Sequence, residues 1–232
     1  MVLGGGAGQR FGSDRPKQLL SLGGRTLVEH CVSAFDAAPG VDEVLLVMGP
    51  GYTEEAAKLV GDQVLGVVTG GTTRADSVRC ALLALSERYD PDTTGVLLHD
   101  AARPLVTQQV IADCVAALRS GWDAIGVAVP TADTIVVVTE GVMAHVPPRE
   151  TLMRCQTPQG FRLSVINRAH ELAAADPDFV PTDDCGVVLR YLPEVPVHVV
   201  LGSERNIKLT YPADLAVAEV LLRESPQGEG HR

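Results

Sequence analysis

The chain has 232 residues, 46% hydrophobic but only 4% aromatic, with a formal net charge of -10. That length holds one large α/β domain or two small ones, with a core drawn mainly from Val, Leu and Ala. The acidic balance argues against nucleic acid or an anionic membrane as a bulk partner, so an anionic substrate must meet a local cluster of cations. Cys31, Cys80, Cys114, Cys155 and Cys185 are odd in number and contain no Cys-x-x-Cys. They point to reduced thiols in a cytoplasmic protein rather than to zinc or disulfides. No apolar run reaches ~18 residues and no basic n-region is visible, so neither a membrane span nor a signal peptide is expected.

Met1 to Leu3 reads as the end of a buried strand. Gly4, Gly5, Gly6 and Gly8 follow, with Ala7 between them, and bare backbone of this kind lets N–H groups converge on an anion. Arg10 and Lys17 flank the loop, and together the set points to polyphosphate. The spacing is neither that of a P-loop nor that of a dinucleotide fingerprint. Gly23-Gly24 predicts a turn, Thr26 a helix cap, and Leu27 to Phe35 a helix closed by Pro39-Gly40. The run Val44 to Met48 fits a strand covered on both faces. A helix over 54–60 and a strand over 65–69 come next.

Gly70-Gly-Thr-Thr-Arg-Ala-Asp-Ser77 then opens a helix over 78–85. Ser77 could cap that helix or read a ligand. Val96 to Leu98 predicts a strand ending in His99-Asp-Ala-Ala-Arg-Pro104, and ligands of open α/β sheets sit at such ends. Asp100 stands where a magnesium ligand would stand, or else pairs with Arg103; His99 reads as structural rather than as a general base. A helix over 106–119 and a strand over 124–129 complete a βα alternation that indicates a doubly wound, mostly parallel, Rossmann-like sheet. The pattern then changes to two apolar strands, 133–138 and 142–146, around Glu140-Gly141. This hairpin reads as an arm clasping a second subunit, since apolar strands without a covering helix need a partner. Helices over 163–175, from 187 and over 215–222, and a strand over 195–201, finish the chain. The tail from Ser225 reads as polar and frayed.

Arg10, Lys17, Arg74, Arg103, Arg149 and Lys208 all fall in or near predicted loops, a placement that suits more than one phosphate. The glycine loop with Pro16-Lys17-Gln18 resembles the start of the cytidylyltransferases that activate small polyol phosphates. The blocks Gly70 to Ser77, His99 to Pro104, Gln156-Thr-Pro-Gln159, Thr182-Asp183 and Asn206-Ile-Lys208 are similar to that family in order and spacing, over nearly the whole chain. The resemblance implies one domain over 1–232 with a dimerisation arm at about 133–155, and transfer of CMP from CTP to a polyol phosphate with release of pyrophosphate. It implies Arg10 and Lys17 as catalytic cations. Gly4, Gly5, Gly6, Ala7, Gly8, Gly71, Thr72, Arg74, Ser77, Asp100 and Ala101 would hold CTP, with Mg²⁺ or another divalent cation on Asp100. Arg103, Thr134, Arg149, Thr157 and Lys208 would hold the acceptor, Thr134 and Arg149 reaching in from a homodimer partner.

Pro147-Pro-Arg149 and the segment Asp184 to Pro193 look more like the branch that makes CDP-ribitol, a cell-wall polymer precursor. The alternative acceptor is 2-C-methyl-D-erythritol 4-phosphate, on the isoprenoid route. A UTP- or GTP-using sugar-phosphate nucleotidyltransferase is a more distant alternative; nicotinamide binding disagrees with the glycine spacing, and a non-catalytic binding protein leaves Arg10 and Lys17 unexplained. Two departures from the family stand out. Only three residues precede Gly4, which implies a start lying further upstream or a short central strand, and Thr72-Thr73 stands where an acid is common.

Overall fold

The structure is a computed structural model that describes residues 1–5 and 15–224. Strand β1 (Val2–Gly4) is followed by a short ribbon, β2 (Ser21–Leu22) and β3 (Arg25–Thr26). Gly23 and Gly24 make its turn at φ of 58° and 88°, backbone that a side chain would resist. Thr26 caps α1 (Leu27–Asp36). Its hydroxyl accepts from the Glu29 N–H while the Glu29 carboxylate accepts from the Thr26 N–H, so two otherwise orphan donors are satisfied. The βα alternation continues through β4 (Leu45–Met48), α2 (Thr53–Val60), β5 (Gly66–Thr69), α3 (Arg74–Ser86), β6 (Gly95–Asp100), α4 (Gln108–Arg119) and β7 (Ala124–Pro130). A separate hairpin, β8 (Val137–Thr139) and β9 (Val142–His145), precedes β10 (Met153–Arg162), α5 (Leu163–Ala174), α6 (Asp184–Tyr191), β11 (His198–Leu201) and α7 (Pro212–Arg223).

Seven strands form the central sheet in the order β11-β7-β10-β6-β1-β4-β5. Every neighbouring pair is parallel except those of β10, which runs antiparallel to both β6 and β7. The expected mostly parallel sheet is therefore present. Successive side chains of each strand leave on opposite faces, so Val2 and Leu46 join one buried cluster with Val28, Val32 and Ile111. Leu3 and Val47 join the other with Val78, Leu82 and Ile166. Each fully buried aliphatic side chain of this kind stabilises the fold by about 1.5–3 kcal/mol.

Strand β10 is absent from the sequence expectations, because Pro158, Gly160 and three polar side chains do not read as a central strand. The proline is accommodated at a register shift between Gln156 and Gln159, the kind of irregularity that frees it from the ladder. The hairpin arm is present but shorter than the pattern suggests, and its side chains are open: Val142 is 68% and Met143 62% exposed.

Candidate active site

Because β1, β4, β5 and β6 are parallel and in register, their carboxyl ends meet at one edge of the sheet. Gly4 lies beside Met48, Met48 beside Thr69, and Leu3 beside Asp100. At that edge Gly5 and Gly70 close on Ser77: a Cβ on either would come within 2.6–2.7 Å of the Ser77 Oγ. The two loops can approach because neither carries a side chain there. Ser77 does not cap α3. Thr73 does, through a reciprocal bond with Asp76, and the Ser77 hydroxyl donates back to the Thr73 carbonyl at 2.9 Å. Ser77 thus sits one turn inside the helix. Gly71 is half-buried and Thr72 exposed in the loop leading to that cap, and Arg74 is the first residue of the helix.

Asp100 stands at the end of β6, nearly buried, between two cations. Its Oδ2 accepts from Lys208 Nζ at 2.6 Å and its Oδ1 from Arg74 Nε at 3.3 Å. Burial alone would raise its pKa; the Arg74 guanidinium and then the Lys208 ammonium outweigh that and hold the carboxyl well below the usual range. The alternative of an Asp100–Arg103 pair is not what forms. Arg103 Nη1 donates instead to the Asn206 carbonyl at 2.7 Å, and its Nη2 to the Cys155 carbonyl at 3.3 Å. Its buried Nε has no partner among the described residues. Ala101 is buried, its N–H on the Leu3 carbonyl.

Thr157, carried by the irregularity in β10, stitches this region together. Its Oγ1 accepts from the Asp100 N–H and contacts His99 Nδ1, both at 3.1 Å, while His99 Nε2 meets the Arg103 carbonyl at 3.0 Å. A carbonyl only accepts, so Nε2 carries the proton and Nδ1 receives the Thr157 hydroxyl. Burial lowers the His99 pKa to about 4, so the ring is neutral and structural. Arg74, Asp100, Arg103, Thr157, Asp183 and Lys208 are among the residues lining a pocket of about 150 Å³. A larger cavity of about 770 Å³ lies at the opposite, amino ends of the strands, beside Met1, Val44 and Gly95. The smaller one lies where open α/β sheets bind ligands.

Lys17 reaches this end of the sheet as well: its Nζ donates to the Leu209 carbonyl at 2.8 Å, next to Lys208. Gly6, Ala7, Gly8 and Arg10 lie outside the described residues. Thr134 and Arg149 are not among the residues that line the pocket; Arg149 Nη2 donates to Thr134 Oγ1 at 3.0 Å on the exposed arm. Sequence reasoning gave no site role to Gln159 and Asp184, which it met only inside similar blocks, and missed His170; the three gather behind Arg74. Asp184 Oδ2 takes the Arg74 Nη2 at 2.7 Å and its Oδ1 meets His170 Nε2 at 3.0 Å. The sequence signals were the Gln156-Thr-Pro-Gln159 block and the acid beside Thr182-Asp183; nothing local marked His170.

A mostly parallel sheet with glycine loops and paired cations at its carboxyl edge is the architecture of an α/β nucleotidyltransferase. The family described as "IspD: 2-C-methyl-D-erythritol 4-phosphate cytidylyltransferase" matches residues 1–224, and the chain belongs to it. It is accordingly a CTP-dependent cytidylyltransferase. A 2-C-methyl-D-erythritol 4-phosphate cytidylyltransferase of Thermobifida fusca is 53% identical over 231 residues, 96% of this chain and 92% of that one. A bifunctional ribulose 5-phosphate reductase/CDP-ribitol pyrophosphorylase of Haemophilus influenzae is 36% identical over 96% of this chain and 48% of its own length. The crystal structure of 4-diphosphocytidyl-2C-methyl-D-erythritol synthase from Anaerococcus prevotii superposes with a TM-score of 0.82 at 26% identity, covering 96% of this chain and 94% of that one.

Magnesium can be weighed against the side chains present. Among the described residues no group of three or more His, Cys, Asp or Glu stands together as a metal cage. Asp100 offers one hard-oxygen carboxylate, already shared between two cations. That donor set suits an ion that arrives on a triphosphate and needs only one or two protein carboxylates.

Proposed function

We propose that the chain transfers CMP from CTP to 2-C-methyl-D-erythritol 4-phosphate and releases pyrophosphate. One observation carries the choice of acceptor: the 53% identical relative that spans nearly the whole chain bears that name, whereas the CDP-ribitol relative stands at 36%. The relatives thus favour the second acceptor over the ribitol phosphate towards which the sequence motifs leaned. One of those motifs has another use. Val187, Val188 and Leu192 of the 184–193 segment are core residues. The core positions of the 184–193 segment therefore do not have to report on the acceptor.

In this reading a phosphate oxygen of the acceptor attacks the α-phosphorus of CTP in line. A new P–O bond forms as the bond to the β-phosphate oxygen breaks, and pyrophosphate leaves with that electron pair. The attacking oxygen is already ionised at neutral pH, so no general base is needed, and catalysis rests on orientation and charge neutralisation. Arg10 and Lys17 would neutralise the α-phosphate. Gly4, Gly5, Gly6, Ala7, Gly8 and Ala101 would present backbone to CTP; Gly71, Thr72 and Ser77 would meet the base. Arg74 and Asp100 would complete that half, with Asp100 holding magnesium. Bound there, the ion supplies further neutralisation of phosphate charge. Arg103, Thr157 and Lys208 would receive the acceptor phosphate, and Arg103 Nε, without a partner among the described residues, supports an anion at that point.

The same reading takes residues 1–232 as one cytidylyltransferase domain whose arm, about 133–155, builds a homodimer. The partner subunit's Thr134 and Arg149 would then complete each site. The bare valines of the arm support this, since an exposed apolar ribbon is stable only when covered. A cytoplasmic location accords with five free thiols. No described helix is long and apolar enough to cross a membrane. The test is pyrophosphate release with CTP, comparing 2-C-methyl-D-erythritol 4-phosphate with ribitol 5-phosphate. A kcat/KM at least about 10²-fold higher for the first is expected, of the order that a site built to hydrogen-bond its own acceptor achieves. Preference for ribitol 5-phosphate would overturn the assignment.

A further inference from the structure

We infer that Asp184, held from behind by His170 and Gln159, is a positioning residue that fixes the Arg74 guanidinium at the nucleotide half of the site. Asp184 is 1% exposed, and each of its oxygens is committed: Oδ2 to Arg74 Nη2 at 2.7 Å, Oδ1 to His170 Nε2 at 3.0 Å. His170 comes from α5 and is itself buried at 3% exposed. The backbone of Asp184 is fixed as well. Gln159 of β10 accepts from the N–H groups of Asp184 and Cys185 at 3.0 and 3.1 Å, and its amide donates to Asp183 Oδ2 at 3.1 Å. Strand β10 thus holds the backbone of Asp184, while α3 and α5 meet its carboxylate.

An arginine side chain carries much rotamer freedom, and a bare guanidinium at a helix start has several orientations open to it. Arg74 is caught between two carboxylates, Asp184 behind and Asp100 in front. The buried one has no role at the pocket surface that the reaction requires. What it does is share the positive charge of Arg74. Without it the guanidinium either swings away or rests wholly on Asp100, and either way the charges presented to a nucleotide change. Buried networks of this sort act as units, so their members are expected to be non-additive.

The inference rests on Arg74 contacting CTP, and the test separates the two. CTP binding to the full-length protein is measured by calorimetry with magnesium present, for wild type, Asp184→Asn, Arg74→Ala and the double variant. The expected result is at least about a tenfold loss for Asp184→Asn, and less than about twofold further loss when the same change is made in Arg74→Ala. The KM for the acceptor should move less than about threefold. His170→Leu should follow Asp184→Asn in direction, and His170→Gln, whose amide can still donate to the carboxylate, should recover most of the binding. Should Asp184→Asn fail to fold, the His170 pair carries the same cycle against Arg74→Ala. Unchanged CTP affinity, or equal losses in both backgrounds, overturns the positioning role. If Arg74→Ala itself leaves CTP binding intact, the assignment of Arg74 to the nucleotide fails, and this inference with it.

Discussion

Lys208 and Asp100, 108 positions apart in the chain, hold each other ammonium to carboxylate at 2.6 Å. The pair closes the pocket between the end of β6 and the loop after β11. It also means that neither charge is idle before substrates arrive. An ammonium that can leave Asp100 for a phosphate must lie where the phosphate sits. Lys208→Met is therefore expected to raise the KM for the acceptor by about 10- to 10²-fold, the worth of one charge-assisted hydrogen bond of about 1.5–3 kcal/mol. The KM for CTP should change much less. Steady-state kinetics with each substrate varied in turn decides it, and equal increases in both would remove Lys208 from the acceptor.

Lys17 reaches the same edge of the sheet, its ammonium donating to the Leu209 carbonyl. That bond keeps the ammonium next to Lys208, at the carboxyl end of the sheet where open α/β folds bind ligands. Lys17→Ala should lower kcat by about 10² or more, as loss of a preorganised charge at the reacting phosphate does. The melting temperature should fall only slightly, because the part-buried bond to Leu209 is worth about 1 kcal/mol. A variant with full turnover would end the catalytic assignment.

Much of the scaffold was legible because burial on both faces leaves a continuous apolar run. Leu45–Met48, Val96–Leu98 and Ala124–Val129 announce themselves in this way, and Thr26 announces the start of α1. β10 did not, because three of its buried side chains, Gln156, Thr157 and Gln159, are polar and owe their burial to distant partners. Gln156 bonds the Ser203 carbonyl, Gln159 the start of α6, and Thr157 the end of β6. No local pattern encodes such pairings. The same holds for Asp100, whose companions proved to be Arg74 and Lys208 rather than its near neighbour Arg103. Which residue types gather was readable; which of them pair was set by the sheet order.

His99 makes a pH prediction. Burial takes its pKa from 6.5 down to about 4 in the folded chain. As the pH drops below 6.5 the unfolded chain takes up a proton there and the folded chain does not, so stability is lost across the window from about 6.5 to 4. The upper bound is about 3 kcal/mol, since each tenfold difference in proton affinity between the two states is worth about 1.36 kcal/mol. His99→Asn should be less stable at pH 7 yet show a flatter decline over the same window. Urea unfolding at several pH values measures both slopes, and identical slopes would show that the decline has another source.

The arm carries the last prediction. Val142 and Met143 are each more than 60% exposed, and the Arg149–Thr134 pair is not part of the pocket lining in its own chain. If a two-fold dimer covers this ribbon and brings that pair to the neighbouring site, each catalytic centre needs residues from both subunits. Val142→Asp should then sediment as a monomer and lose most of its activity, although Val142 lies outside every pocket described. Subunit mixing is the sharper measurement. Lys17→Ala and Arg149→Ala should each be nearly inactive alone. Co-refolded in equal amounts, half of the dimers are mixed and each mixed dimer holds one intact site of two, so about one quarter of wild-type activity should return. No recovery on mixing, with dimers confirmed by sedimentation, would confine Arg149 to its own chain.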